Sequence, residues 1–223
     1  MRYENIVKGR FLARPNRFVA QVEIDGMEEV CHVKNTGRCR ELLVRDCTVY
    51  LDKAKNPDRK TKYDLVAVEK GQRLINMDSY APNIAAGEFL SKIFPDCIIK
   101  HEYTYGNSRF DFYIENNNRK ILLEVKGVTL EQDGIVMFPD APTERGLKHV
   151  NELISCVKDG YEAYLLFVIQ MDKVKYFTPN YGTHPEFGGA LKKASREGVK
   201  LLAYDCTVTH DGMEINCPVC IKL

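Results

Sequence analysis

The residues best suited to chemistry are Asp111, Glu124 and Lys126, which lie within one short segment, RFDFYIENNNRKILLEVK. Two carboxylates held close together can bind a hard divalent cation, because Mg²⁺ prefers oxygen ligands and keeps several of its waters. One of those waters can attack a phosphate, and a neighbouring lysine can touch both the water and the phosphate. These residues therefore predict a Mg²⁺ or Mn²⁺ site for phosphodiester hydrolysis. The plainer alternative is an exposed salt bridge between Glu124 and Lys126 on a solvated face.

A β-hairpin is needed to bring the two acids together. Apolar residues alternate on both sides of the polar run from Glu115 to Lys120, which indicates two strands joined by a turn. A symmetric six-residue turn pairs Ile114 with Ile121 and places Asp111 opposite Glu124. Opposed residues have Cβ atoms roughly 4.5–5.5 Å apart, a spacing at which two carboxylates repel each other unless a cation lies between them. The packed face of the hairpin is expected to hold Phe110, Phe112, Ile114, Ile121, Leu123 and Val125.

The elements around this hairpin predict a second domain, residues 81–223. Thr143 to Asp159 carries apolar residues at helical spacing, and Tyr164 to Met171 is a nearly continuous apolar strand of the buried kind. The other expected elements are a helix from Ile84 to Phe94, strands from Cys97 to Tyr105, Arg109 to Ile114 and Ile121 to Leu130, a helix from Phe187 to Glu197 and a strand from Val199 to Tyr204. The core order is helix, three strands, helix, strand.

The first domain, residues 1–80, is expected to be all β. Short alternating runs are separated by turn signals, and Asp25-Gly26 is a strong hairpin turn. Five or six short strands in this length suit a small closed barrel, which leaves no exposed sheet edge. An OB-like barrel is the first choice, so the chain is predicted to be an α/β (α+β) protein of two domains.

The composition favours a soluble protein of the cytoplasm. The chain has 223 residues, of which 44% are hydrophobic, and it lacks the apolar stretch of a signal peptide or of a membrane span. We expect no membrane association. Eight cysteines in such a chain are expected to be reduced thiols. Zinc is not the favoured interpretation of the irregular set Cys206, His210, Cys217 and Cys220; buried strand thiols are.

Positive charge is concentrated in the first domain. Residues 1–80 hold 16 Lys and Arg against 12 Asp and Glu, net +4, whereas residues 81–223 hold 16 against 19, net −3. OB barrels bind nucleic acid through a basic groove and aromatic platforms, so nucleic acid, and DNA in particular, is the expected partner. The candidate binding residues are Arg14, Arg17, Asn35, Arg38, Arg40, Lys60, Lys62 and Tyr63, with Tyr50 as a second stacking residue. A merely soluble rim is the alternative.

Within this set, Asn35-Thr36-Gly37-Arg38 is the sharpest piece, since glycine beside polar groups lets the backbone approach a phosphate. A second basic group, Arg145, Lys148 and His149, lies at the start of the predicted helix from Thr143. Unpaired N–H groups at a helix N-terminus already favour anions, so these side chains are expected to face an incoming phosphate. A solvated helical face is the alternative for them.

The order αβββαβ, with Asp111 on the second strand and Glu124-Val125-Lys126 on the third, resembles the restriction-endonuclease-like PD-(D/E)XK core, which has a mixed sheet. The resemblance implies that Asp111, Glu124 and the backbone carbonyl of Val125 hold Mg²⁺, and that Lys126 positions or activates the attacking water. Many such cores take an extra acid from their first helix. Glu88 is the residue that would supply it here, and an ordinary surface acid is an equal alternative.

Longer motifs extend the resemblance to a named family. They are Arg14-Pro15-Asn16-Arg17-Phe18, Asn35-Thr36-Gly37-Arg38, Arg59-Lys60-Thr61-Lys62-Tyr63, Glu124 to Leu130, Phe138 to Ala141 and Thr143 to His149. Together they resemble the sugar fermentation stimulation protein A family over nearly the whole chain. That resemblance implies an N-terminal OB-like domain, a C-terminal nuclease-like domain, DNA binding without marked sequence preference, and a link to maltose metabolism.

Three functions remain open from the sequence. The first is a DNA-binding protein with a Mg²⁺-dependent nuclease site. The second is a non-catalytic, sequence-nonspecific DNA-binding regulator that uses the nuclease fold as a scaffold. The third is a phosphodiesterase for small molecules.

Overall fold

The structure is a computed structural model that describes residues 1–35, 37–116 and 118–223. Its first part is built from six strands. They are β1 (Ile6–Asn16), β2 (Val19–Ile24), β3 (Met27–Val33), β4 (Thr48–Lys53), β5 (Tyr63–Lys70) and β6 (Arg73–Asn76). The sheet order is β3-β2-β1-β4-β5-β6, and a parallel pairing of β3 with β5 closes the first five strands into a barrel. The expected OB-like barrel is confirmed.

The barrel strands follow the alternation in the sequence. Along β2, Ala20, Val22 and Ile24 are buried, and the residues between them are half-exposed. Asp25 and Gly26 have φ values of 51° and 78°, as a tight two-residue hairpin turn requires. The local turn therefore sets the register of β2 against β3.

The second part contains three helices and nine strands among the described residues. They are α1 (Ala81–Ile93), β7 (Ile98–Tyr105), β8 (Ser108–Asn116), β9 (Arg119–Val128), β10 (Leu130–Gln132), β11 (Ile135–Phe138), α2 (Glu144–Lys158), β12 (Glu162–Ile169), β13 (Tyr176–Pro179), α3 (Pro185–Arg196), β14 (Lys200–Thr209) and β15 (Gly212–Pro218). The main sheet has the order β15-β14-β12-β9-β8-β7. It is mixed, because β12 runs parallel to β9 and β14 while the remaining pairs are antiparallel.

The expected αβββαβ order is present, with additions that the sequence interpretation missed. Strands β10, β11 and β13 form a separate three-stranded sheet, and β15 extends the main sheet at its edge. Strands β10, β11 and β13 have only three or four residues each, so they carry too little alternation to be recognised. Within the described residues, no helix is long and apolar enough to cross a membrane.

Both faces of the main sheet are packed. Helix α1 packs on one face, against Phe112, Ile114 and Leu123 of the strands. Helices α2 and α3 pack on the other face, against Tyr113 and Leu122. The second of these cores is continuous with the interior of the barrel. The expectation that Phe110 shares a face with Phe112 is wrong: Phe110 packs in the α2 core, 6.3 Å from the ring of His149.

The predicted hairpin register is confirmed, but its turn is shorter than six residues. Ile114 pairs with Ile121, and the ladder continues through Glu115 with Lys120 to Asn116 with Arg119. Glu115 and Lys120 therefore belong to the strands. Asn117, which lies in the predicted turn, is outside the described residues, as is Thr36 in the predicted phosphate-binding motif.

A buried polar joint ties the barrel to the main sheet. Gln170, which follows β12 and is 2% exposed, donates from Nε2 to Asn76 O at 3.1 Å, Asn76 Oδ1 at 2.9 Å and Asp78 O at 3.1 Å. Nearby, Lys70 and Arg73 of the barrel contact Glu131 at 2.7 Å and 2.8 Å. Because buried polar groups need such partners, these contacts fix how the two parts meet.

Candidate metal centre and nucleic-acid interface

Strands β8 and β9 bring Asp111 and Glu124 together at the end of their ladder. The last paired residues are Phe112 and Leu123, and Asp111 lies just beyond that pair. Its Oδ2 accepts a hydrogen bond from the backbone N–H of Val125 at 2.7 Å. The carboxylate of Asp111 thus lies beside the Glu124-Val125 backbone, close to the place that the register predicted.

Glu124 is a buried carboxylate with one oxygen in use and one free. It is 3% exposed, and its Oε1 contacts Lys126 Nζ at 2.6 Å and Nδ1 of His149. Oε2 is buried and has no hydrogen-bond partner among the described residues. Burial raises the pKa of Glu124, but the bonds from His149 and Lys126 outweigh it, so the pKa lies below its usual range. Glu124 is therefore an ionised carboxylate with an unused oxygen.

Asp111 is destabilised as an anion by its surroundings. Burial, followed by the negative charge of Glu124, raises the pKa of Asp111, although Val125 N–H and Asn83 stabilise its charge. Asn83 Nδ2 donates to Oδ1 at 2.8 Å. The two neighbouring carboxylates together need more positive charge than their surroundings provide, because ionisation of Asp111 is disfavoured. A hard cation that prefers oxygen ligands would supply it. The donor set fits a divalent metal, with Glu124 Oε2 as the oxygen left for it.

The helix residue at this site differs from the expected one. Glu88 of α1 pairs with the N-terminal ammonium of Met1 at 2.6 Å and is half-exposed, whereas Asn83 contacts Asp111. Sequence reasoning missed Asn83, which an amide side chain alone does not signal. The structure assigns Glu88 to the junction of α1 with the chain terminus.

His149 was expected to face an incoming phosphate, and this expectation is wrong. It is 5% exposed and contacts Glu124 from behind the site. The signal was available in the sequence, because His149 lies one helical turn before Leu153, which is buried on the same face of α2. Arg145 is exposed on the first turn, and Lys148 Nζ donates to Asn107 O at 3.0 Å.

A basic pocket of about 530 Å³ opens on the barrel, and the predicted residues Arg14, Arg17, Arg38 and Arg40 line it. Arg14 does not present its charge to this space. Its Nη1 donates to the carbonyls of Gly37 at 2.9 Å and Arg38 at 2.8 Å, and its Nη2 to those of Arg17 at 2.8 Å and Asn35 at 2.6 Å. Arg14 therefore shapes the pocket, and the other three arginines supply its free charge.

The second part of the chain holds one wall of this pocket in place. The N–H of Arg38 donates to Asp140 Oδ2 at 3.1 Å, and Asn35 Oδ1 accepts from Gly37 N–H at 2.8 Å. A Cβ at Gly37 would lie 2.6 Å from Asp140 Oδ2, so a larger residue there would displace the Asp140 carboxylate from its contact with the loop. The motif around Gly37 thus packs against Asp140, which sequence reasoning did not foresee.

The remaining candidate nucleic-acid-binding residues of the barrel differ in their contacts and exposure. Lys62 pairs with Glu29 at 3.0 Å, Lys60 is exposed and Tyr63 is half-buried. Tyr50 is not available for stacking on a nucleobase, contrary to expectation. It is buried, and its ring stacks on His210 of the second part with centroids 4.3 Å apart.

The C-terminal cysteines are only partly as expected. Cys206 is buried, but Cys217 and Cys220 are exposed, so the interpretation as buried strand thiols is wrong for these two. Cys217 lies in the edge strand β15, which ends at Pro218. Cys220 follows that strand, and its carbonyl accepts from the N–H of Phe177 in β13 at 2.9 Å.

A second cavity adjoins the basic pocket. Its volume is about 200 Å³, and Gly37, Ser79, Gly127 and Asp140 are among its lining residues. Gly37 also lines the basic pocket, and Gly127 directly follows Lys126 in the chain. The two adjoining cavities, here called the trough, extend from the arginines to the backbone that follows Lys126.

Comparison with known proteins agrees with this architecture. The family model described as the SfsA N-terminal OB domain matches residues 12–77, and the model described as the sugar fermentation stimulation protein RE domain matches residues 81–212. A sugar fermentation stimulation protein homolog of Desulfitobacterium hafniense (strain Y51) is 59% identical over 225 residues, covering 100% of this chain and 99% of the relative. Its counterpart from Clostridium beijerinckii is 58% identical, covering 96% of each chain.

A solved structure is similar over the whole length. It is described as the structure of Pyrococcus furiosus SfsA in complex with Ca²⁺, and it superposes with a TM-score of 0.90 at 28% identity. The match covers 100% of this chain and 98% of that one.

Proposed function

Because the chain belongs to the sugar fermentation stimulation protein family, we propose that it binds DNA and hydrolyses phosphodiester bonds at a divalent-metal site, with Mg²⁺ or Mn²⁺ as the working ion. One observation carries this proposal. Glu124 Oε2 is a buried carboxylate oxygen without a partner in the described chain, beside a second carboxylate whose ionisation is disfavoured. The similar Pyrococcus furiosus protein is in complex with Ca²⁺, which supports a hard divalent ion for this fold.

The residues divide the work of the proposed reaction. Asp111, Glu124 and the carbonyl of Val125 would hold the metal, which when bound supplies a water of lowered pKa and neutralises charge on the phosphate. Lys126 Nζ, 2.6 Å from Glu124 Oε1, can donate to the attacking water or to a phosphate oxygen. His149 holds Glu124 from the buried side, and Asn83 holds Asp111. These contacts orient both ligands before substrate binds.

A cleavage assay tests the proposal. Purified protein is incubated with Mg²⁺ or Mn²⁺ and labelled single-stranded, duplex and branched DNA, with RNA for comparison. We expect cleavage by the wild type and a loss of about 100-fold or more in rate for Asp111→Asn, Glu124→Gln and Lys126→Ala, with binding largely retained. Asp133→Asn, an equal charge change at an exposed turn, is the matched control. If the wild type cuts none of these substrates, the enzymatic proposal fails.

One observation favours a second function, a non-catalytic DNA-binding regulator. Lys126 and His149 both contact Oε1 of Glu124, so the fold can balance this charge as part of its own packing. This function predicts binding that weakens steeply with salt and is indifferent to Asp111→Asn, together with no cleavage. The link to sugar metabolism belongs equally to both functions.

A further inference from the structure

We propose that a single strand of DNA lies in the arginine-lined pocket and continues along the trough toward the segment that carries Glu124 and Lys126, so that the protein selects flexible single strands over continuous duplex. This inference rests on the function proposed above, and it names the substrate class of that site. It follows from which charges are free, from how the pocket is built, and from where the trough leads.

Most basic side chains near the barrel surface are already neutralised by acids. The pairs are Arg10 with Glu23 and Asp46, Lys34 with Asp78, Lys55 with Glu4, Arg59 with Asp64, and Lys62 with Glu29. Among the described residues, Arg17, Arg38 and Arg40 form no such pair, and all three line the same pocket. Lys8, Lys53 and Lys60 also form no ion pair among the described residues, but they do not line this pocket. The pocket therefore brings three unpaired guanidinium groups together in one concave place, which favours a phosphate backbone.

The pocket also offers surfaces for bases. Leu43, Cys39 and Ala141 form apolar parts of its wall. Phe18 is not a lining residue but follows Arg17, which is one; its side chain is 52% exposed, and the guanidinium of Arg17 lies 5.7 Å from its ring centroid. Nonspecific binding of single strands combines a basic groove with aromatic faces on which bases stack. In a duplex the bases are stacked on one another, so these surfaces would find no unpaired base.

The pocket is formed before ligand binds. Four backbone carbonyls converge on the guanidinium of Arg14, and Asp140 holds the N–H of Arg38. Arg14 is therefore a positioning residue, which acts through the loop that carries Arg38. Preorganisation of this kind lowers the entropic cost of binding.

A ligand that continues from the pocket into the second cavity must be narrow and flexible, because that cavity has a volume of only about 200 Å³. The trough passes Gly37 and the second cavity, between the barrel and the main sheet, and reaches Gly127. Duplex DNA is stiff, with a persistence length of about 150 base pairs, and bending it sharply over a few base pairs costs several kcal/mol. A single strand follows such a path at little cost. The geometry therefore favours a single strand, or a single-stranded end of a duplex.

Fluorescence anisotropy tests this inference without any cleavage. The probes are a labelled oligodeoxynucleotide of about 20 residues and the blunt duplex of the same sequence, each titrated in EDTA at several salt concentrations. The variants are Arg17→Ala, Arg38→Ala and the double variant, all at exposed side chains. The control is Arg196→Ala, the same charge change in the last turn of α3. The N-cap residue of that helix, His184, contacts Thr143 before α2, so Arg196 lies at the opposite end of α3 from this contact.

We expect the wild type to bind the single strand at least tenfold more tightly than the duplex. Each lost phosphate contact lowers the salt slope by about 0.7, which corresponds to about fivefold in affinity at 0.1 M salt. The double variant is thus expected to lose about 25-fold, and Arg196→Ala less than twofold. Equal or tighter binding of duplex, or a double variant no weaker than Arg196→Ala, would overturn the inference. Since EDTA removes the metal, a failure of the cleavage proposal would leave this result unchanged.

Discussion

Replacing Asp111 by asparagine is expected to have opposite effects in the presence and absence of metal. In the metal-free protein, Asp111 and Glu124 are neighbouring carboxylates, and burial and the charge of Glu124 both raise the pKa of Asp111. Asparagine can still accept from Val125 N–H, Asn83 can turn its amide so that its oxygen accepts from the new NH₂ group, and one of the two repelling charges is removed. We therefore expect Asp111→Asn without metal to be at least as stable as the wild type, and to lose the stabilisation that a divalent ion provides.

The size of that stabilisation follows from linkage. A ligand at 100 times its Kd stabilises the folded state by about 2.7 kcal/mol. With an unfolding entropy of about 2.1 cal/mol/K per residue, a chain of 223 residues gives about 0.47 kcal/mol/K. The midpoint of thermal unfolding, Tm, should therefore rise by about 6 °C in the wild type and by less than 1 °C in Asp111→Asn.

Differential scanning calorimetry with and without Mg²⁺, Mn²⁺ or Ca²⁺ measures this effect, with calorimetric titration to supply Kd. Asp133→Asn is the matched control, because its residue lies in an exposed turn with φ 54° that asparagine also adopts. It should keep the full shift. Glu88→Gln should keep it as well, since Glu88 pairs with Met1. A wild-type Tm unmoved by all three ions, or an Asp111→Asn variant that keeps the shift, would refute this account of the site.

Two further predictions concern an ion pair of the main sheet and the arginine that holds the pocket loop. Glu162 accepts from Arg119 and Lys200, and these bonds, that from Arg119 first, lower its pKa from 4.5 to about 2. A carboxylate whose pKa is lowered by folding stabilises the folded state at pH values above its unfolded pKa. Glu162→Gln should therefore lower the free energy of unfolding by about 1–2 kcal/mol at pH 7, after allowance for solvent screening, and this loss should vanish as the pH falls from 4.5 toward 2. Urea unfolding at pH 7 and at low pH measures the loss, and a loss that persists at low pH would contradict its origin in the ion pairs. Arg14→Lys should cost about 2 kcal/mol and weaken single-strand binding, because an ammonium cannot reach all four carbonyls; unchanged binding in the anisotropy assay would show that Arg14 does not position the loop.

Local patterns predicted much of the fold. The alternation along β2 and the Asp25-Gly26 turn depend on neighbours in the chain, and both are as expected. The pairing of Ile114 with Ile121 also followed from the symmetry of a short polar run. Strands β10, β11 and β13 were missed, because three or four residues carry too little alternation and their pairing joins segments far apart.

The candidate metal site also has features that depend on local sequence and features that depend on long-range contacts. Sequence alone placed the candidate ligands Asp111 and Glu124, with Lys126 beside them, on one hairpin, because the register of a hairpin is local. The partners of these side chains depend on long-range packing. Asn83 reaches Asp111 across 28 positions of the chain, and His149 reaches Glu124 across 25.

The basic pocket depended still more on the tertiary structure. Composition showed that the first domain is basic, but it could not separate free charges from neutralised ones. That separation depends on ion pairs such as Lys34 with Asp78, which are 44 positions apart, and Lys70 with Glu131, which are 61 positions apart and join the two parts of the chain. Residue types and local spacing determine what chemistry is available, whereas burial and long-range packing decide which groups remain free to perform it, because only folding brings distant charges within reach of one another.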